Sequence, residues 1–159
     1  AARHDLPLVI HTGLVPGSGH LLSQCNPALM TGLLYNPELS ETKFVLIHTG
    51  YPYARESVHL AWDRPNVWID FVWLPTLSIE AGVQVLGEFL DWVPANKFVL
   101  GGDFELPEGV YGAICQSREV LARVLAKKVA WGIWSRERAM KVGRRVLRDN
   151  AISLFNLSP

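Results

Sequence analysis

The segment Leu8-Val9-Ile10-His11-Thr12-Gly13 returns almost unchanged 37 positions later as Val45-Leu46-Ile47-His48-Thr49-Gly50. A looser third copy is Phe98-Val99-Leu100-Gly101-Gly102-Asp103, and its opening Lys97-Phe98-Val99-Leu100 repeats Lys43-Phe44-Val45-Leu46. A fourth apolar run is Val67-Trp68-Ile69-Asp70. Each run is short, continuous and rich in β-branched or aromatic side chains. That pattern predicts strands buried on both faces of a parallel sheet.

The intervals between these runs carry a helical period. Arg55 to Asp63 holds Val58, Leu60, Ala61 and Trp62 ahead of Pro65, and Ser78 to Trp92 holds Ile79, Val83, Leu86, Phe89 and Leu90. Arg118 to Trp131 places Val120, Leu121, Val124, Leu125 and Val129 on one stripe. Ser135 is the expected N-cap of a last helix reaching about Asp149, with Met140, Val146 and Leu147 on its packing side. A shorter candidate spans Asn26 to Tyr35. Strands alternating with helices, plus one extra helix at the end, call for an α/β fold with a parallel sheet covered by helices.

Composition narrows the function classes. The 159 residues are read as a single domain, residues 1–159, with 49% apolar and 19% charged residues. Fifteen basic residues balance fifteen acidic ones, which argues against holding a nucleic acid by bulk charge. Lys141, Arg144, Arg145 and Arg148 are accordingly read as a solvated helix face. No apolar run approaches the roughly 18 residues of a membrane span, so no membrane partner is expected. Ala1 to Asp5 carries no secretory signal, and Cys25 and Cys115 form no Cys-x-x-Cys pair. The expected setting is reducing and cytoplasmic.

All four apolar runs end in a polar, mostly ionisable residue: His11, His48, Asp70 and Asp103. Lys43 and Lys97 stand at the opposite ends. In a parallel sheet the C-terminal strand ends share one rim, where ligands and catalytic groups collect. Two imidazoles and a carboxylate on that rim suit a divalent ion such as zinc. Asp70 reads equally as a ligand or as a strand-end cap. Gly13, Gly50, Gly101 and Gly102 allow sharp turns or a close approach of the backbone, or simply end strands. No dinucleotide-binding or Walker loop is present. Tyr51, Tyr53, Arg55 and Trp73 could shape a substrate pocket, Arg55 gripping a carboxylate, or could cap and pack helices. Glu105, His20 and His59 read as loop and helix residues away from the chemistry.

Taken in order, Leu6 to Gly13, Lys43 to Tyr53, Asn66 to Asp70, Asn96 to Asp103 and Asn150 to Phe155 resemble the amidohydrolase-related proteins, metal-dependent (β/α)8 enzymes. The likeness is to the C-terminal half of that barrel, and closest to the amidohydrolase-like proteins that also occur fused to some glutamine synthetases. The resemblance implies a partial (β/α)8 TIM barrel: strands five to eight with their helices, plus a C-terminal helix. It implies His11 as a metal ligand, His48 as a residue that ligates metal in some members and polarises the substrate in others, and Asp103 as a metal contact that shuttles a proton. Tyr51, Arg55 and Trp73 would bind a small-molecule substrate. The metal would be zinc, with manganese the alternative. The implied chemistry is attack of an activated water on an amide, ester or related carbonyl; a non-oxidative decarboxylation on the same site, or a non-catalytic interaction module, are the alternatives.

Two departures from the family pattern stand out. The five histidines, at 4, 11, 20, 48 and 59, include no His-x-His, and Gly102 stands where Ser or Thr usually precedes the last Asp. Four strands also cannot close an eight-stranded barrel of about 250 residues. The expectation is therefore a fragment of a longer protein, or a half-barrel whose open edges pair with a missing N-terminal half or with another copy.

Overall fold

The structure is a computed structural model that describes residues 1–17 and 19–158. The chain divides into two compact units, Ala1–Asp70 and Phe71–Pro159.

In the first unit, β1 (Leu8–His11) leads through a loop and a 3-10 turn (Pro27–Met30) into the short helix α1 (Thr31–Leu34). Asn26 caps that turn by accepting from Ala28 N at 2.9 Å, and Pro27 fits its first position. Strand β2 (Phe44–Ile47), helix α2 (Ala54–Asp63) and strand β3 (Val67–Asp70) follow. The strands pair parallel, Leu8 opposite Phe44 and Phe44 opposite Val67. Helix α2 buries Ala54, Ser57, Val58, Leu60 and Ala61. It stops at Arg64, which Pro65 holds in the extended region. Tyr35 donates its hydroxyl to Asp63, and the Arg64 guanidinium lies 3.9 Å over the Tyr35 ring. That hydrogen bond raises the Tyr35 pKa and lowers that of Asp63, with Arg64 lowering Asp63 further.

Central β2 matches the expectation of a doubly buried strand, with Phe44, Val45 and Leu46 at 0–1% exposure. Strand β1 does not. Leu8 and Val9 are 43% and 48% exposed, because β1 pairs only with β2 among the described residues.

In the second unit, a short helix α3 (Leu74–Leu77) precedes α4 (Ile79–Trp92), whose N-cap Ser78 accepts from Ala81 N at 3.1 Å. Phe71 N donates to Val99 O at 3.0 Å, so the residue after β3 bonds with β4 (Phe98–Val99). Helix α5 (Pro107–Ala130) starts eleven residues before the expected Arg118. Its first turns carry Gly109, Gly112 and exposed Tyr111, so they lack the apolar stripe that marks the rest. Pro107 still suits a first helical position and Glu108 the positive end of the helix dipole. Gly82 permits a tight α4–α5 crossing, since a Cβ there would stand 3.1 Å from Val120 Cγ2. Lys128 Nζ bonds Asp91 Oδ1 at 2.5 Å, tying the same two helices.

Ser135 caps α6 (Arg136–Arg144) as expected, accepting from Arg138 N at 3.1 Å. The helix runs on through a π-helical turn (Arg145–Asp149) into α7 (Asn150–Phe155), six residues beyond the expected end. Asn150 Nδ2 donates to Ala95 O and Phe98 O at 2.7 Å each, which fastens α7 to the β4 segment. The expected packing side needs correction. Val146 is buried beside Ala139, Val142 and Gly143, whereas Met140 and Leu147 are 68% and 44% exposed. At 100° per residue Met140 and Val146 cannot share a face. No helix among the described residues is long and apolar enough to cross a membrane.

Candidate active site

The repeated His-Thr-Gly segments build one structure in the first unit. His11 is the last residue of β1, and Thr12 Oγ1 donates to Ile47 O, the last residue of β2, at 2.7 Å. Gly13 has φ +72° and donates its N–H to Cys25 O at 2.7 Å. A Cβ on Gly13 would stand 2.3 Å from Tyr51 O and 2.4 Å from Gly50 C. Only glycine fits where the two copies meet.

The second copy turns more sharply. His48, Thr49 and Gly50 all have positive φ, at 62°, 57° and 72°. Left-handed backbone costs a non-glycine residue about 1–2 kcal/mol. Thr49 Oγ1 donates to His48 O, Tyr51 N to His48 O at 3.1 Å and Tyr53 N to Gly50 O at 2.7 Å, and these bonds hold the turn. His48 and Thr49 are buried at 1% and 0% exposure.

The turn sets the two imidazoles edge to face, with ring centroids 4.4 Å apart and planes at 63°. His11 Nε2 lies 2.6 Å from Leu14 O. A carbonyl accepts only, so Nε2 carries the proton and the neutral ring has its lone pair on Nδ1. Metal-binding histidines are commonly oriented by such a backbone carbonyl on the other ring nitrogen. The pair therefore fits two imidazole ligands of a divalent ion. No group of three or more His, Cys, Asp or Glu side chains is set to hold a metal among the described residues. Asp70 ends β3 half-buried.

The second unit brings Trp73 and Asp103 together. Trp73 Nε1 donates to Asp103 O at 3.0 Å, and both residues have positive φ, 66° and 48°. Asp103 is exposed. The glycine before it has a local cause: a Cβ on Gly102 would stand 2.7 Å from Val110 Cγ1 in α5. Val110 occupies the space that a Ser or Thr side chain would need. Phe104 lies over Gly109 in the same way, 2.8 Å from a Cβ built there.

The remaining expected residues scatter more. Tyr51 and Tyr53 are half-buried beside the His48 turn. Arg55 is exposed on α2 and lines a surface pocket of about 390 Å³ with Thr31, Glu56 and His59, whose walls include neither His11 nor His48. Glu105 is an exposed loop residue and His59 an exposed helical one. Sequence reasoning missed the Leu14 carbonyl, which no residue type encodes, and the left-handed backbone at Trp73 and Asp103. Lys97, at the opposite end of β4, is only 8% exposed, and desolvation lowers its pKa to about 8.

The chain belongs to the amidohydrolase family, whose model matches residues 1–157. Protein fluG of Emericella nidulans is 34% identical over 154 residues, which cover 96% of this chain and 18% of that protein. The crystal structure of a Lactobacillus casei protein, provisionally described as a metal-dependent hydrolase, superposes with a TM-score of 0.84 at 24% identity. That match covers 98% of this chain and 40% of the other. The chain thus spans well under half the length of either protein. Its α/β fold is consistent with part of a (β/α)8 barrel.

Proposed function

We propose that this chain supplies the C-terminal half of a metal-dependent amidohydrolase site, which hydrolyses an amide, ester or related carbonyl compound. The observation that carries the reading is the His11–His48 pair, 4.4 Å apart, with one ring oriented through Leu14 O. His11 and His48 would hold a divalent ion, zinc by ligand type, with Asp103 completing the set from this chain. The missing His-x-His would come from the other half of a barrel.

When bound, the ion supplies Lewis acidity and a water acidified to a pKa of about 7. The Asp103 carboxylate takes a proton from the attacking water and returns it to the leaving group. His48, held rigid by burial, orients the substrate carbonyl. Tyr51, Trp73 and Arg55 are the substrate contacts proposed from this chain, Arg55 through a carboxylate. Exposed Leu8 and Val9 on edge strand β1 support pairing with a complementary half or a second copy. Cys25 and Cys115 are both free thiols, in keeping with a reducing, cytoplasmic setting.

The test is metal content and turnover of the full-length protein. Stoichiometric zinc or manganese, together with hydrolysis of amide or ester substrates that Asp103→Asn abolishes, is the expected result. Carbon dioxide release without hydrolysis would move the assignment to decarboxylation. Absence of any bound divalent metal would overturn it in favour of a non-catalytic half-barrel.

A further inference from the structure

A groove of about 720 Å³ lies between α5 and α6 in the second unit. Leu121, Leu125 and Val129 of α5 and Met140 and Leu147 of the last helical stretch line it. Among the described residues Met140 and Leu147 lie 68% and 44% exposed over this apolar trough, the kind of patch that marks an interaction surface. Only residues 131–135 separate α5 from α6, so α6 returns alongside its neighbour. Gly143 lets the helices approach closely: a Cβ there would stand 3.2 Å from Leu125 Cδ1.

Cations mark both ends of the trough. Arg118 precedes the Ala130 end of α5 by twelve residues, about 18 Å of helical rise. Arg136 opens α6 near that Ala130 end. Arg144 is paired with Asp149 at 3.2 Å, whereas Arg118 and Arg136 are exposed and have no ion pair among the described residues.

We propose that this groove docks an amphipathic helix of a partner polypeptide, with an apolar stripe on the trough and carboxylates about three turns apart meeting Arg118 and Arg136. A straight trough between two helices suits a third helix, and its charged ends select acidic flanks. Helix α4 of a second copy does not offer that helix. The acidic helix α4, with Glu80, Glu88 and Asp91, buries its apolar face (Leu86, Phe89, Leu90) in its own unit, and Asp91 is engaged by Lys128.

The test titrates the full-length protein into two fluorescein-labelled helical peptides of about 14 residues. They share one leucine stripe and differ in carrying Glu or Lys at its two ends. Fluorescence anisotropy is expected to show the acidic peptide binding about tenfold tighter. Arg118→Glu with Arg136→Glu should reverse the order while leaving the circular dichroism melt unchanged, since both side chains are exposed. Met140→Glu should abolish binding of both peptides. Equal affinity for the two peptides, or no binding of either, overturns the proposal. So does a concentration-dependent dimer that Met140→Glu dissolves, which would assign the groove to a second copy.

Discussion

Gly13 stands against the peptide that follows the second His-Thr-Gly copy, so that a Cβ on it would fall 2.3 Å from Tyr51 O. The contact joins the two repeats through their backbones. It also brings the His11 and His48 rings into register, because each histidine lies two residues before its glycine.

Gly13→Ala should therefore be costly, on the order of 3 kcal/mol, combining left-handed strain with a backbone clash. Gly132 separates these effects. It has φ +69° but nothing within 4 Å of a Cβ, so Gly132→Ala should lose only about 1 kcal/mol. Urea denaturation of the two variants measures the difference. Equal losses would mean that the Gly13 contact carries no energy of its own.

The two histidines should separate metal binding from stability. His11 is exposed and His48 is 1% exposed. His11→Ala is expected to lower metal content with little change in melting. His48→Ala should lower both, opening a cavity that costs about 2 kcal/mol or more. Elemental analysis beside thermal denaturation reads both effects. Full metal retention in His11→Ala would remove that residue from the ligand set.

Asp103→Asn keeps the side-chain shape and suits a left-handed position, which asparagine tolerates well. It removes the negative charge, and with it both the proton acceptor and the anionic ligand proposed for the metal. Turnover of the full-length enzyme should fall by roughly 10²–10⁴-fold, with melting unchanged. An unaltered rate would assign the proton transfer elsewhere. Asp103→Val should instead lose stability, because a β-branched residue at φ 48° is strained.

Lys97 makes a pH prediction whose sign follows from burial. Desolvation holds its pKa at about 8, below the 10.5 of the exposed group. Between those values the unfolded chain binds more protons than the native one. Stability from this group therefore increases as pH rises from about 8 towards 10.5, and is lost as pH falls through 8. Lys97→Met should flatten that slope and raise stability at pH 7. Denaturation of wild type and variant at pH 7, 8.5 and about 10 compares the two. Parallel curves would show that Lys97 charges without penalty.

Strands at Val45, Val67 and Phe98 were legible because continuous apolar runs leave little alternative to burial in a sheet. Ser78 and Ser135 marked their helices because a hydroxyl satisfies N–H groups that lack intrahelical partners. The first eleven residues of α5 were not legible, since they bury only the small side chains of Ala113 and Ser117 and so carry no large apolar period. Nor was the exposure of Met140 and Leu147, which depends on the helix face that meets α5.

The order of strands and helices, the polar residue closing each strand and the membership of the amidohydrolase family all reside in local pattern, which one-dimensional periodicity encodes directly. Tertiary structure alone decided which backbone turns left-handed. Of the six non-glycine residues with positive φ among the described residues, four follow strand ends: His48, Thr49, Trp73 and Asp103. The other two, Asp5 and Asn156, close helical turns. No residue type at those four positions favours that conformation strongly enough by itself. It persists because contacts distant in sequence, such as Gly13 against Tyr51 and Trp73 with Asp103, outweigh the local strain.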